Sequence, residues 1–182
     1  ELERDAACVR LGLVEPDAGD LGVGEGGVGH AAVVDAETAQ VAEERIDRRV
    51  PGLVRGDVRD RAALGSALKQ FRIDTILHFA ASAYVGESVT NPALYFDNNV
   101  GGMIALLDAA RDAGIGQIVF SSSCATYGIP ETLPIRETSP QAPINPYGRT
   151  KLICEQMLRD YGAAYGLRHV ALRYFNAAGA DP

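Results

Sequence analysis

The residues best equipped for chemistry are Tyr147 and Lys151, in the run Tyr147-Gly148-Arg149-Thr150-Lys151. A four-residue spacing on a helix puts both side chains on one face, within reach of a common ligand. A phenol titrates near pH ~10, so a tyrosine that takes a proton near neutrality needs its pKa lowered by ~3 units, or ~4 kcal/mol. One cation at ~6 Å and an effective dielectric of ~20 supplies roughly 3 kcal/mol. Lys151 and a second cation together would make Tyr147 a base. Ser123 closes the triplet Ser121-Ser122-Ser123 and can hydrogen-bond a reacting oxygen beside that base. A tyrosine and a lysine can also share a helix face by accident, and Ser123 alone fits an ordinary strand end. Position is what adds weight: the serines end a strand, and the tyrosine opens the next helix.

The elements that must position these residues are legible from Val50 onward. Leu53-Val54-Arg55-Gly56 reads as a short strand. Asp60 can cap a helix running to about Gln70, with Ala63, Leu64, Ala67 and Leu68 as its apolar stripe. Thr75 to Ala80 is a continuous apolar run, the pattern of a strand buried on both faces. Asn91-Pro92 gives an N-cap followed by proline at the first helical position. Phe96, Val100, Met103, Leu107 and Ala110 then share one face until Gly114 stops the helix. Gln117 to Ser122 forms the next strand. Asn145-Pro146 repeats the cap signal and opens a helix to about Tyr165, with Ile153, Met157 and Tyr161 on one face. Val170 to Phe175 is the last strand. The order β-α-β-α-β-α-β predicts an α/β fold, a Rossmann-like doubly wound parallel sheet with helices on both faces. Ligands in such sheets sit outside the carboxyl ends of the strands. Ala80-Ala81-Ser82, the serine triplet and Asn176 all fall there.

Composition excludes several classes. The chain has 182 residues, 47% hydrophobic, with a formal net charge of −7. That apolar share supports a buried core and rules out wholesale disorder. No apolar run approaches the ~18 residues of a membrane span, and no basic-then-apolar leader opens the chain. An acidic balance without a Lys/Arg cluster argues against nucleic acid. Cys8, Cys124 and Cys154 are odd in number and widely spaced, giving neither a disulfide framework nor zinc spacing, so a reducing, cytoplasmic setting is expected. His78 lies mid-strand and reads as a satisfied core histidine. Cys124 reads as a packing residue with no base beside it.

Together these stretches resemble the UDP-sugar 4-epimerases of the extended short-chain dehydrogenase/reductase superfamily, typified by UDP-glucose/galactose 4-epimerase. The matching runs are Gly56-Asp57-Val58-Arg59-Asp60, HFAASAYVGESV from His78 to Val89, and Asp97-Asn98-Asn99-Val100. They continue in family order through SSSCATYG from Ser121, PINPYGRTK from Pro143 and RYFNAAGADP from Arg173. The resemblance implies NAD as cofactor and a UDP-sugar as substrate. It casts Tyr147 as the base on the sugar 4-hydroxyl, and Lys151 as the group that lowers the tyrosine pKa and holds the nicotinamide ribose. Ser123 would hydrogen-bond the reacting oxygen. Asp57 and Val58 match contacts to the adenine end of NAD, while Phe79, Ala80 and Ala81 match the strand end along the cofactor. Asn98 matches a further cofactor contact, Phe175 a residue near the nicotinamide, and Asn176 a residue that binds the nucleotide-sugar diphosphate. No metal is implied. The family also implies a homodimer, built by the helix from Asn91 and the Tyr147 helix. Related 4,6-dehydratases carry an Asp-Glu pair where this chain reads Ser123-Cys124-Ala125-Thr126, which favours epimerase over dehydratase or reductase.

Residues 1–49 depart from that pattern. They hold 12 acidic and 5 basic side chains, and all 12 aromatics of the chain come later, from Phe71 on. The family opens with a strand and a Gly-x-x-Gly-x-x-Gly turn whose helix holds the NAD pyrophosphate. That spacing is absent here. Gly-x-Gly-x-x-Gly occurs at Gly22, Gly24, Gly27 and at Gly24, Gly26, Gly29, but no strand leads directly into it. No helix fits between Gly29 and the strand-like Ala32-Val33-Val34-Asp35, and Asp17, Asp20 and Glu25 would repel a phosphate. Residues 1–49 are therefore expected to be an atypical acidic segment, either displaced in reading frame or divergent. Residues 50–182 are expected to be the NAD-binding core, with the smaller substrate domain beyond Pro182. A non-catalytic fragment unable to hold NAD is the alternative for the chain as it stands, and weak or no activity is expected of it.

Overall fold

Side-chain caps open two of the long helices, whereas Asn91, expected to cap the helix at Pro92, makes no side-chain cap hydrogen bond. In the computed structural model, which describes residues 8–14, 31–37 and 54–176, the Ala63 N–H donates to Asp60 Oδ1 at 3.0 Å and opens helix α1, Arg61–Gln70. The Gly148 N–H donates to Asn145 Oδ1 at 2.8 Å, and Pro146 takes the first helical position, where a missing N–H costs nothing. Between these lie α2, Val85–Thr90, α3, Pro92–Tyr95, and α4, Gly102–Ala113; the helix that Pro146 opens is α5, Pro146–Tyr165. Gly114 and Gly166, at φ of +75° and +74°, end α4 and α5 in the left-handed conformation that suits glycine.

Six strands make one sheet: β1 Cys8–Val14, β2 Ala31–Glu37, β3 Val54–Asp57, β4 Thr75–His78, β5 Gln117–Ser123 and β6 Arg168–Tyr174, in the order β3-β1-β2-β4-β5-β6. β2, β4, β5 and β6 pair in parallel, as the alternating pattern predicts. β1 is the exception to an all-parallel sheet, because it runs antiparallel to both β2 and β3. Antiparallel neighbours need no crossover helix between them, so a strand can be accommodated there without one. The α/β, Rossmann-like class stands. The glycine matches between Gly22 and Gly29 and the terminal run Ala177 to Pro182 lie outside the described residues.

Buried positions alternate along β4 and β5. Ile76, Ile118 and Phe120 point to the face covered by α1, α4 and α5, and form one core with Leu64, Leu68, Met103, Leu106, Leu107 and Leu158. Each such side chain is worth about 1.5–3 kcal/mol of burial. On the opposite face of β6, Val170, Leu172 and Tyr174 are exposed. The second helical layer expected from the sequence is not among the described residues. The stripe reading of α1 holds at Leu64, Ala67 and Leu68. On α5 the stripe is shifted: Ile153, Met157 and Tyr161 are half-buried, while Lys151, Cys154, Glu155 and Leu158 form the buried line. Polar residues on the core-facing line hid it from a hydrophobic pattern.

Candidate active site

Tyr147 stands in the first turn of α5, half-buried, beside the strand end that carries Ser123. Ser123 is extended and its Oγ accepts the Ala125 N–H at 3.2 Å, turning the chain into a short 3-10 turn, Cys124–Thr126. Gly148 lets α5 approach that turn. A Cβ added there would stand 2.6 Å from the Ala125 carbonyl oxygen, closer than a carbon can come. The Ser123–Tyr147 juxtaposition therefore depends on a glycine next to the tyrosine.

One turn on, Lys151 is 3% exposed. Its Nζ donates to the Ser121 carbonyl at 2.7 Å and lies 4.8 Å from the Phe120 ring and 5.8 Å from the Tyr147 ring. An ammonium carries three donors, so two remain for other acceptors. Burial pushes the Lys151 pKa down to about 8. Burial also raises the Tyr147 pKa above its ordinary value, with the Ser123 hydroxyl drawing it back down. Lys151 alone therefore does not make Tyr147 a base, and the second cation required by the sequence argument is still needed.

His78 is in the core, as expected, but it is not satisfied. Its ring stacks on Phe120 at 5.7 Å, and Nδ1 is the buried side-chain nitrogen without a hydrogen-bond partner among the described residues. Burial, reinforced by the charge of Lys151, pushes its pKa down to about 3. Cys124 is half-buried and free, in keeping with a packing role. Cys154 is buried and donates to the Asn99 carbonyl at 3.5 Å.

The loop after β4 is tied to this corner by a residue that sequence reasoning missed. Between α3 and α4 the helix widens into a π-helical stretch, Phe96–Gly101, which buries both Asn98 and Asn99. Asn99 Oδ1 accepts the Ser82 N–H at 2.8 Å, and its Nδ2 donates to the Ser82 carbonyl at 3.0 Å and to Thr150 Oγ1 at 3.1 Å. Asn98 donates to Ser82 Oγ at 3.2 Å. The Ala80-Ala81-Ser82 strand end, Asn98 and the residue before Lys151 are thus clamped together. Two adjacent asparagines inside an apolar helical pattern, between Phe96 and Val100, were the available signal.

Asp57 and Val58 sit at the end of β3. Arg59 donates to both oxygens of Asp57, at 2.9 and 2.6 Å, and also pairs with Asp97, next to Asn98. Arg59 holds the Asp57 carboxyl below the usual carboxylate range. Val58 is buried against Gly102, where a Cβ would meet Val58 Cγ1 at 2.5 Å. Phe79 and Phe175 are 40% and 61% exposed, and Asn176 is exposed just beyond β6. The structure thus gathers Ser123, Tyr147, Lys151, the Ala80–Ala81 loop and Asn98, and leaves Phe79, Phe175 and Asn176 facing outward at the same strand ends.

The model of the NAD dependent epimerase/dehydratase family matches residues 25–182. The chain belongs to that family. The UDP-glucose 4-epimerase of Rhizobium meliloti (strain 1021) is 60% identical over 129 residues, 71% of this chain and 39% of that protein. Among solved structures, UDP-glucose 4-epimerase from Brucella ovis in complex with NAD is 61% identical with a TM-score of 0.69, covering 70% of this chain and 39% of that one. UDP-glucose-4-epimerase from Stenotrophomonas maltophila, with bound NAD and formylated UDP-arabinopyranose, is 43% identical with a TM-score of 0.71, covering 81% and 46%. The chain spans about two fifths of the length of the relatives it matches. NAD is the cofactor of this family, and among the described residues those at the ends of β4 and β5 fit it. Lys151 has two donors to spare for hydroxyls such as those of a ribose, and Ala80 and Ala81 are small, while Asp57 already takes four hydrogen bonds from Arg59.

Proposed function

We propose that the whole protein is a NAD-dependent UDP-sugar 4-epimerase, acting on UDP-glucose and UDP-galactose or a close relative of them. The observation that carries this is the convergence of Ser123, Tyr147 and the buried Lys151 where β5 meets α5. NAD, held by these residues, would supply a reversible hydride acceptor for the sugar C4, so that hydride could come back on the opposite face. The rest is done by side chains of this chain. The Tyr147 phenolate takes the 4-hydroxyl proton and later gives it back, and Ser123 hydrogen-bonds that oxygen throughout. Lys151 holds the ribose and contributes one of the two cations that lower the tyrosine pKa. Asp57 and Val58 take the adenine end, while Phe79, Ala80, Ala81 and Asn98 flank the cofactor. Phe175 closes on the nicotinamide and Asn176 on the substrate diphosphate. Where a 4,6-dehydratase needs carboxylates to remove water, Cys124-Ala125-Thr126 offers none.

In this reading the protein works in the cytoplasm, without nucleic acid or membrane partners, as a homodimer. Phe96 and Ile104, 38% and 48% exposed on the outer side of the α3–α4 helix, support the last point. The test is to purify the full-length protein, quantify NAD per subunit, and follow interconversion of UDP-galactose and UDP-glucose. Stoichiometric NAD with turnover that Tyr147→Phe abolishes is the expected result. A full-length protein that carries no NAD and converts neither sugar overturns the reading.

A further inference from the structure

Glu155 is 2% exposed, yet it is an acidic residue on the buried line of α5 that the reaction above does not use. Its carboxylate is saturated. Oε1 accepts Ser122 Oγ at 2.5 Å and Arg173 Nε at 2.9 Å, and Oε2 accepts Arg173 Nη2 at 2.7 Å and Gln141 Nε2 at 3.1 Å. Arg173 goes on to donate to the Tyr127 hydroxyl at 2.6 Å. Burial alone would raise the Glu155 pKa, but the Arg173, Ser122 and Gln141 hydrogen bonds outweigh it and hold it below the ordinary value.

The placement of these partners matters more than their number. Lys151 grips the Ser121 carbonyl and Glu155, one turn further along the same helix, grips the Ser122 hydroxyl. Two contacts one turn apart, on two successive residues of one strand, fix both the height and the rotation of α5 against β5. The next strand residue is Ser123 and the preceding helix turn carries Tyr147. Arg173 stands opposite Ser122 in the sheet register and lies two residues before Phe175. One carboxylate therefore joins the strand end with Ser123, the helix with Tyr147 and Lys151, and the strand end with Phe175 and Asn176. At a rise of 1.5 Å per residue Glu155 lies about 12 Å along the axis from Tyr147, too far to touch the sugar.

We propose that Glu155 is a positioning residue, which holds Tyr147 in register with Ser123 and so sets the rate of hydride and proton transfer. The proposal rests on the epimerase reading. A misplacement near 1 Å in a reacting constellation costs on the order of 10²-fold.

The experiment uses the full-length holoenzyme and two variants, Glu155→Gln and Ser122→Ala. For each, NAD per subunit, melting temperature, kcat and KM are measured, together with the rate at which a UDP-sugar reduces the bound nicotinamide in a single turnover. In Glu155→Gln, kcat and the single-turnover rate fall together by about 10²-fold, with NAD content retained and KM nearly unchanged. In Ser122→Ala, which keeps the ion pair with Arg173, they fall by about tenfold at an unchanged melting temperature. Wild-type rates in both variants overturn the proposal. So does a rate loss that only tracks lost NAD and lowered melting temperature, the pattern of a structural role. If Glu155→Gln does not fold, Ser122→Ala decides alone by the same two outcomes. An unsubstituted protein without NAD or turnover overturns the epimerase reading itself, and this proposal with it.

Discussion

Two successive turns of α5 each bury a charge, and they treat it in opposite ways. Glu155 has every lone pair engaged, and its pKa moves in the direction that favours its charge. Lys151 makes one hydrogen bond among the described residues, and burial drives its pKa down to about 8, against its charge. A saturated charge is a fixed point for the surrounding elements. An unsaturated one, next to a tyrosine whose pKa is raised and a histidine whose Nδ1 is unpartnered among the described residues, marks where the fold holds donors ready for something else. The boundary between scaffold and chemistry thus falls between residues 151 and 155 of a single helix.

The largest effect belongs to the poised turn. Tyr147→Phe removes the proton acceptor and leaves the packing, so kcat in the full-length enzyme should fall on the order of 10²–10⁴-fold, with NAD retained. A variant within tenfold of wild type would move the base elsewhere and dissolve the distinction between the turns.

The contrast in stability comes next, and its sign differs between the two charges. Glu155→Leu leaves Arg173 facing a vacated site and should cost about 3 kcal/mol, read as a lower denaturant midpoint. The Glu155 contribution is present above its ordinary pKa of 4.5 and is lost as pH falls through the lowered folded value. For Lys151 the folded pKa is depressed from 10.5 to about 8, so the folded state binds fewer protons between those values and stability rises with pH across that window. Lys151→Met should therefore stabilise the cofactor-free protein near pH 7, by no more than about 3 kcal/mol, and abolish that alkaline rise. If both substitutions destabilise equally at pH 7, Lys151 is as satisfied as Glu155.

How much of this was legible in the sequence follows from what each signal measures. Caps and prolines at Asp60, Asn145 and Pro146 placed helices well because they act through bonds two or three residues away. Spacing placed Tyr147 and Lys151 together because one helix turn is local, whereas Ser123, 24 residues before Tyr147, was joined to them only by the family resemblance. The Glu155–Arg173 pair and the Asn99 clamp on Ser82 were missed because each joins residues distant in sequence. A hydrophobic stripe also points away from them, since the core-facing line of α5 is partly charged. The antiparallel β1 was missed although Val9, Leu11 and Leu13 alternate with Arg10 and Gly12, because its direction is set by pairing with β2 and β3, which lie far along the sequence.

Gly148→Ala probes the join between the two regimes. The added Cβ would meet backbone, at 2.6 Å from the Ala125 carbonyl oxygen, so α5 must shift or the 3-10 turn must give. Such overpacking costs about 1–3 kcal/mol. Because the strain falls between Ser123 and Tyr147, kcat should drop further than the stability loss alone explains, while KM for the UDP-sugar changes little. A fall in melting temperature at wild-type kcat would show that the turn yields without moving the tyrosine.

The smallest effect is expected at His78, which lies between the two regimes. It is buried and stacked like a scaffold residue, but its Nδ1 has no partner among the described residues and its pKa is down to about 3. A depressed histidine pKa means the unfolded chain binds the proton first. This group's contribution is therefore lost as pH falls from 6.5 towards 3. An apolar replacement of similar volume removes the unpaired nitrogen along with the titration, and such exchanges are close to neutral. His78→Met should thus keep kcat within about threefold and change stability at pH 7 by less than about 1.5 kcal/mol, while flattening the acid limb of the stability curve. A collapse of kcat at full NAD occupancy would instead put His78 on the poised side, with its open Nδ1 serving Lys151.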